Sequence, residues 1–470
     1  MERENRWKTY TEAERAELNA LCEDYKNFLT DCRTERECVE ETILRAEKAG
    51  FRNLEELIQK GETLKAGDKV YAAWMKKTIA LFIIGKKPLE EGMRILGAHI
   101  DSPRLDIKQN PLYEDTELAY LDTHYYGGIK KYQWTTVPLA IHGVVAKKDG
   151  TVVRVRIGDA PEDPIFCITD LLIHLSKDQM EKKLLAAIEG EKLDLLTASI
   201  PLLETNPDAE TEDKKAGAKE LVRKNVLKIL NEQLGMEEED FLSAELEVVP
   251  AGPARDLGFD RSMIASYGQD DRSCAFTSLD ALLSVENPEV TSAVILTDKE
   301  EIGSVGATGA ESRFFENTVA ELLDRAGVFS PLSLRRCLSH SRMLSSDVSA
   351  AYDPLYASVY EKRNSACFGR GIVYNKYTGS RGKSGSNDAN AEYFAWIRKV
   401  MDENKVAFQT AELGRVDAGG GGTIAYICAL YGMEVVDAGI AVLNMHAPME
   451  ITSKADIYEA RKAYRAFLLA

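Results

Sequence analysis

Apolar residues recur at helical spacing from Tyr10 to about Lys48, set among many charges. Leu18, Leu21, Cys22, Tyr25 and Phe28 line one face, so the pattern predicts one or two amphipathic helices. The texture then shortens. Thr78–Gly85 and Met93–Ile100 are compact apolar runs that read as buried strands, with Lys86–Gly92 as the turn between them. After Pro103 the chain becomes rich in Tyr, Thr and Val. Asp149-Gly150, between Ile141–Val145 and Thr151–Ile157, is a strong hairpin signal. The polar, turn-rich stretch Thr205–Gly217 reads as an exposed loop, followed by a helix through Leu230. From about Ile264 strands alternate with helices. Thr277–Leu283 reads as a helix before the strand Thr291–Thr297, and Thr423–Tyr431 as a helix before the strand region Glu434–Asn444. This is α/β texture. The simplest parse is an α/β domain, residues 1–105 and 262–470, interrupted by a β-rich insert at 106–261.

Charge narrows the function. The net charge of −17 and a pI near 5.1 argue against binding to nucleic acid or to an anionic membrane. No apolar run reaches 18 residues, and no apolar signal core follows Met1-Glu2-Arg3-Glu4. The expected location is the cytoplasm. Eight scattered cysteines without a C-x-x-C pair read as reduced thiols. That leaves six histidines as the scarce metal-capable residues: His99, His124, His142, His174, His340 and His446.

Several acidic residues and histidines stand where apolar strands end. His99 leaves one strand, and Asp101 two residues on points the same way, placed to orient its imidazole. Asp270-Asp271, Glu300-Glu301, Asp347 and His446 sit in comparable loops. In open α/β sheets function collects at the carboxyl ends of strands. His, Asp, Glu, Asp and His on five such loops suit a two-metal site, which needs a bridging carboxylate, a His and a carboxylate on each ion, and a further carboxylate to take a proton from water. Adjacent glutamates serve both needs. Spacing alone does not exclude His340, in Leu-Ser-His-Ser-Arg.

The strings Gly-Ala-His99-Ile-Asp101-Ser-Pro-Arg, Gln-Asp270-Asp271-Arg-Ser-Cys, Lys-Glu300-Glu301-Ile-Gly-Ser, Ser-Ser-Asp347-Val-Ser and Asn-Met-His446-Ala occur in this order. The combination resembles the M18 family of metalloaminopeptidases, the aspartyl aminopeptidase family, from about Asn53 to Ile457. The resemblance implies a zinc-peptidase (phosphorylase/hydrolase-like) α/β/α sandwich with an inserted β-rich dimerisation domain. It implies two divalent ions per subunit, zinc first and cobalt or manganese as alternatives, acting on short peptides. By motif, Asp270 bridges both ions, His99 and Asp347 hold one, and Glu301 and His446 hold the other. Glu300 is the general base, Asp101 orients His99, and Asp271 lies where relatives often have a cis peptide. His174, in Leu-Leu-Ile-His-Leu, matches an insert histidine that reaches a neighbouring subunit's site. The apolar segment around it equally suits a core histidine. Homodimers grouped into a tetrahedral dodecamer are implied as well. His124, His142 and His340 match no ligand position.

Acidic-specific members carry a Lys where this chain has Tyr374, with Lys376 two residues on, and their following loop is shorter than Gly379–Gly385. This argues against acidic specificity. Gly382-Lys383-Ser384 resembles the end of a phosphate-binding loop, but Tyr377 stands where that motif needs Gly. Gly419–Gly422 offers bare amides to an anion or carbonyl, or simply close packing. A deacylase or carboxypeptidase is compatible with the same cage. So is a scaffold with a dead site, although the intact set of carboxylates argues against it.

Overall fold

Thr11 and Thr34 each close a capping box, with Glu14 and Glu37, and so start the helices Glu12–Asp31 and Glu35–Lys48. Leu18, Cys22, Tyr25 and Phe28 of the first are buried as the spacing predicts, and Leu21 packs at the margin. The computed structural model describes residues 3–203 and 220–470, so the predicted Thr205–Gly217 loop lies outside the described residues. The chain divides into two units. One comprises Met1–Ser102, Ala254–Met445 and Met449–Ala470; the other comprises Pro103–Pro253 and His446–Pro448.

The first unit carries a nine-stranded mixed sheet. Met93–His99 lies between Thr291–Thr297 and Arg342–Ser345, parallel to both, and Arg342–Ser345 runs parallel to Glu434–Gly439. His99 is level with Thr297, and Gly97 with Ser345, so these strands end at one edge. Their near-continuous apolar runs follow from burial on both faces. Ile79, Leu81, Leu96, Ala98, Val294 and Leu296 join one core cluster with residues of Glu12–Asp31, Gln269–Leu283 and Lys454–Leu468. The alternate positions Ala80, Phe82, Met93, Ile95, Ala293 and Ile295 join another with Leu54–Lys60, Phe314–Arg325 and Pro331–Ser339.

Three elements differ from the pattern. The helix read from Thr277 starts at Gln269, with Asp270 and Asp271 non-helical inside it. It is buried almost all round, so it has no polar stripe to mark its start. The region Glu434–Asn444 is two strands, Glu434–Gly439 and Ala441–Leu443, in different sheets. The last helix before it is only Ala425–Ala429. The second unit ends at Pro253, where the pattern placed Arg261. Arg255–Leu257 instead pairs with Met263–Ser266, which pairs with Glu450–Ser453 in a five-stranded sheet.

The second unit carries a six-stranded antiparallel sheet. Its Leu139–Ala146 and Val152–Ile157 strands form the predicted hairpin. The Asp149 carboxylate accepts from Thr151 N at 2.8 Å, and Gly150 takes the left-handed conformation (φ 88°) the turn demands.

Candidate metal centre

Because the parallel strands finish together, their exits bring distant residues into one place. His99 ends one strand, Glu300 and Glu301 follow the next, and Asp347 follows a third. His99 Nε2 lies 3.2 Å from Asp270 Oδ1, 3.9 Å from Asp347 Oδ1 and 4.0 Å from Glu300 Oε2. His99, Asp270 and Asp347 offer donor atoms all within 4.8 Å of one another, and so do His99, Glu300 and Glu301. The Asp270–Asp271 peptide is cis. Gly439 makes room for Asp347: a Cβ there would stand 1.7 Å from the Asp347 carbonyl oxygen.

Burial raises the cost of these charges. It pushes the Asp347 carboxyl well above the usual carboxylate range, with Asp271 next among the causes. Burial likewise pushes Asp271 up, against the pull of His99. For His99 burial pulls down, but the carboxylates of Asp101 and Asp270 outweigh it and hold the imidazole well above its ordinary value. Each buried ion costs several kcal/mol unless it is compensated. A divalent cation offers that compensation to a whole cluster, and oxygen and imidazole donors suit the zinc class.

Asp101 is fully buried. Its main-chain oxygen lies 3.1 Å from His99 Nδ1 and its Oδ1 3.3 Å from the same atom. Its carboxylate also accepts from Glu300 N and Glu301 N, each at 3.1 Å. Residues to which the sequence assigned no role hold the Asp270 corner. Ser102 Oγ donates to Asp270 O at 2.6 Å, and Glu450 Oε2 accepts from Asp270 N at 3.0 Å. Gln269 Nε2 donates to Glu450 O at 2.7 Å. Ser102 and Gln269 stand inside the His99 and Asp270 motifs, which was their one signal; Glu450 stands outside every motif.

His446 falls in the short segment grouped with the second unit, where its Nδ1 is 2.9 Å from the Gly128 oxygen. His174 sits in the one-turn helix Ile173–Leu175, exposed beside Leu171, Leu172, Ile173 and Leu175. The core-histidine alternative for His174 is thereby corrected: its apolar segment lies at the surface.

The remaining histidines have local partners. His340 Nδ1 meets Glu90 O at 2.8 Å, His124 Nδ1 meets Tyr125 O at 2.8 Å, and buried His142 Nε2 meets Asp159 Oδ2 at 3.0 Å. Tyr374 is buried against the Phe394 and Phe408 rings. Lys383 pairs with Asp388 at 2.9 Å and lies over the Tyr377 ring, so it serves its own loop and not a phosphate. Gly419 and Gly420 are packing glycines, since a Cβ on either would strike backbone at 1.7 and 2.5 Å. All eight cysteines are free.

Buried acidic and imidazole donors at the carboxyl ends of parallel strands define the class of metal-dependent hydrolases. The chain belongs to the M18 aminopeptidase family: the family model described as "Aminopeptidase I zinc metalloprotease (M18)" matches residues 28–468. A probable M18 family aminopeptidase 1 from Clostridium acetobutylicum is 59% identical over 467 residues, covering 99% of this chain and 98% of that one. The crystal structure of an M18-family aminopeptidase from Thermotoga maritima is 46% identical, with a TM-score of 0.92 over 100% of this chain and 99% of that one. The S. cerevisiae mApe1 structure, described as a dodecamer, is 21% identical and shares the fold, with a TM-score of 0.74 over 95% of each chain. Among the described residues no helix is long and apolar enough to cross a membrane.

Proposed function

We propose that this aminopeptidase works with two zinc-class ions and removes N-terminal residues from short peptides. The carrying observation is the convergence of His99, Asp270, Asp347, Glu300 and Glu301 at one sheet edge. Asp270 would bridge the ions, with His99 and Asp347 on one and Glu301 and His446 on the other. Such ions, when bound, make water a nucleophile at neutral pH and polarise a carbonyl. Glu300 then takes the proton of the attacking water and passes it to the leaving amine. Glu300 Oε2 lies 4.0 Å from His99 Nε2, within reach of a water held at the cluster. At the position where acidic-specific members carry Lys this chain has the buried Tyr374, which argues against a preference for acidic N-termini. A rate profile over aminoacyl substrates, with each metal restored to the apoprotein, tests the reading. Hydrolysis of acyl or C-terminal substrates in preference to N-terminal ones would overturn it.

The first unit, with helix-derived cores against both faces of its sheet, supports an α/β/α sandwich of the zinc-peptidase type. The insert is proposed as the dimerisation domain, and the dimers as parts of a tetrahedral dodecamer. The support is the run of exposed apolar side chains Leu171, Leu172, Ile173, Leu175, Leu184 and Leu185, which a lone soluble chain would rarely display. Light scattering should give a mass well above the 52.2 kDa of one chain; a monomer at micromolar concentration would defeat the assembly. Eight unpaired thiols suit a reducing cytoplasm.

Exposed His174 is proposed to serve the site of a neighbouring subunit, donating to the oxyanion formed when water attacks. Losing such a donor costs ~10²–10³ in kcat. His174→Phe should therefore keep metal content, fold and assembly while kcat falls by that factor. A normal kcat would return His174 to a surface role.

A further inference from the structure

Glu300 and Glu301 occupy a single 3-10 turn, Glu300–Ile302, entered through Lys299 in a left-handed conformation (φ 70°). The first N–H groups of any helical turn have no partner within it. A preceding Ser, Thr, Asp or Asn normally supplies an acceptor. Lys299 cannot, and it makes no side-chain cap. The acceptor comes instead from another strand. Asp101, just past the Met93–His99 strand, places Oδ1 3.1 Å from Glu300 N and Oδ2 3.1 Å from Glu301 N. Both oxygens of a buried carboxylate are thus committed to the backbone of the two glutamates. Meanwhile His99 Nδ1 has the Asp101 main-chain oxygen at 3.1 Å, a shorter approach than the carboxylate's 3.3 Å. That carbonyl survives any change of side chain.

We infer that Asp101 is chiefly the positioning residue of the Glu300–Glu301 turn, a helix cap delivered across the sheet, and only secondarily the orienter of His99. The physical reason is the economy of the site. General base and ligand are neighbours in sequence and must face different ways. A one-turn helix without a cap of its own would let both drift. A charged acceptor spanning two consecutive amides fixes the peptide plane between them, and hence the directions of both side chains. Charge-assisted bonds of this kind are roughly twice as strong as neutral ones.

The metal arm of the test rests on the two-ion reading; the exchange arm does not. Asp101→Asn keeps the shape but turns one acceptor into an NH2 that must face an N–H. Asp101→Ser keeps at most one acceptor. In the full-length zinc-loaded protein, amide exchange across 298–303 should be at least about tenfold faster in either variant, as expected for one lost bond to a charged acceptor. The segment holding His99 should be little changed. Anomalous diffraction at the zinc edge should show the larger loss beside Glu301, and kcat should fall with KM nearly constant, because Glu300 is displaced and substrate contacts are not. Unchanged exchange at 298–303, a larger zinc loss beside His99, or unfolding of both variants would overturn the inference. Wild-type crystals without zinc at either position would instead defeat the two-ion reading and leave the exchange result to decide on Asp101.

Discussion

Glu300→Gln should lower kcat by at least ~10²–10⁴, the contribution of a general acid–base group, while both ions stay bound. The substitution removes a proton acceptor and leaves the shape. Glu300 Oε2 lies 4.0 Å from His99 Nε2, and the Glu300 backbone is held by Asp101 independently of its side chain. Nothing in that arrangement makes the turn depend on the Glu300 carboxylate. Elemental analysis together with steady-state rates decides the matter. Loss of an ion would mean that Glu300 is a ligand and that its neighbour is the base; normal turnover would remove it from the chemistry.

Asp270→Ala should deplete both ions, whereas His99→Ala should deplete mainly one. The Asp270 carboxylate faces His99 at 3.2 Å, and its backbone is pinned on both sides, by Ser102 at the oxygen and Glu450 at the nitrogen. The corner should therefore persist after the side chain is cut back. The loss would then report ligation and not collapse. Metal counting on the purified variants, with circular dichroism to confirm the fold, makes the comparison. A single ion lost in each variant would contradict the bridge.

What the sequence revealed, and what it hid, follows from the physics of each element. The Met93–His99 and Thr291–Thr297 strands were legible because strands covered on both faces must be apolar throughout, and the residues leaving them stood out by contrast. The start of the Gln269–Leu283 helix was not legible, because Gln269, Asp270, Asp271 and Arg272 are polar yet buried, a burial that no local pattern announces. The setting of His174 was not legible for the opposite reason: an apolar neighbourhood looks the same whether it faces a core or the surface. The spacing of His99 and Asp101 showed that the two could meet. It could not show that the Asp101 carboxylate spans the next strand's exit, since that depends on the register of His99 against Thr297, which only the folded sheet sets.

The place of the Met93–His99 strand within its sheet bears on how the chain is made. Both of its hydrogen-bonding neighbours, Thr291–Thr297 and Arg342–Ser345, come later in the sequence, and the whole second-unit segment Pro103–Pro253 is translated in between. At ~5–20 residues per second, the interval between His99 and Thr291 leaving the ribosome is on the order of 10–40 s. Throughout that time this buried strand of the first unit, already carrying His99, has neither edge paired, the condition under which chains stick to one another. The insert can build its own antiparallel sheet during the wait, but the first unit cannot close. A nascent chain of this protein is therefore a natural client for holding chaperones, and truncated products ending before Thr291 should be found in aggregates.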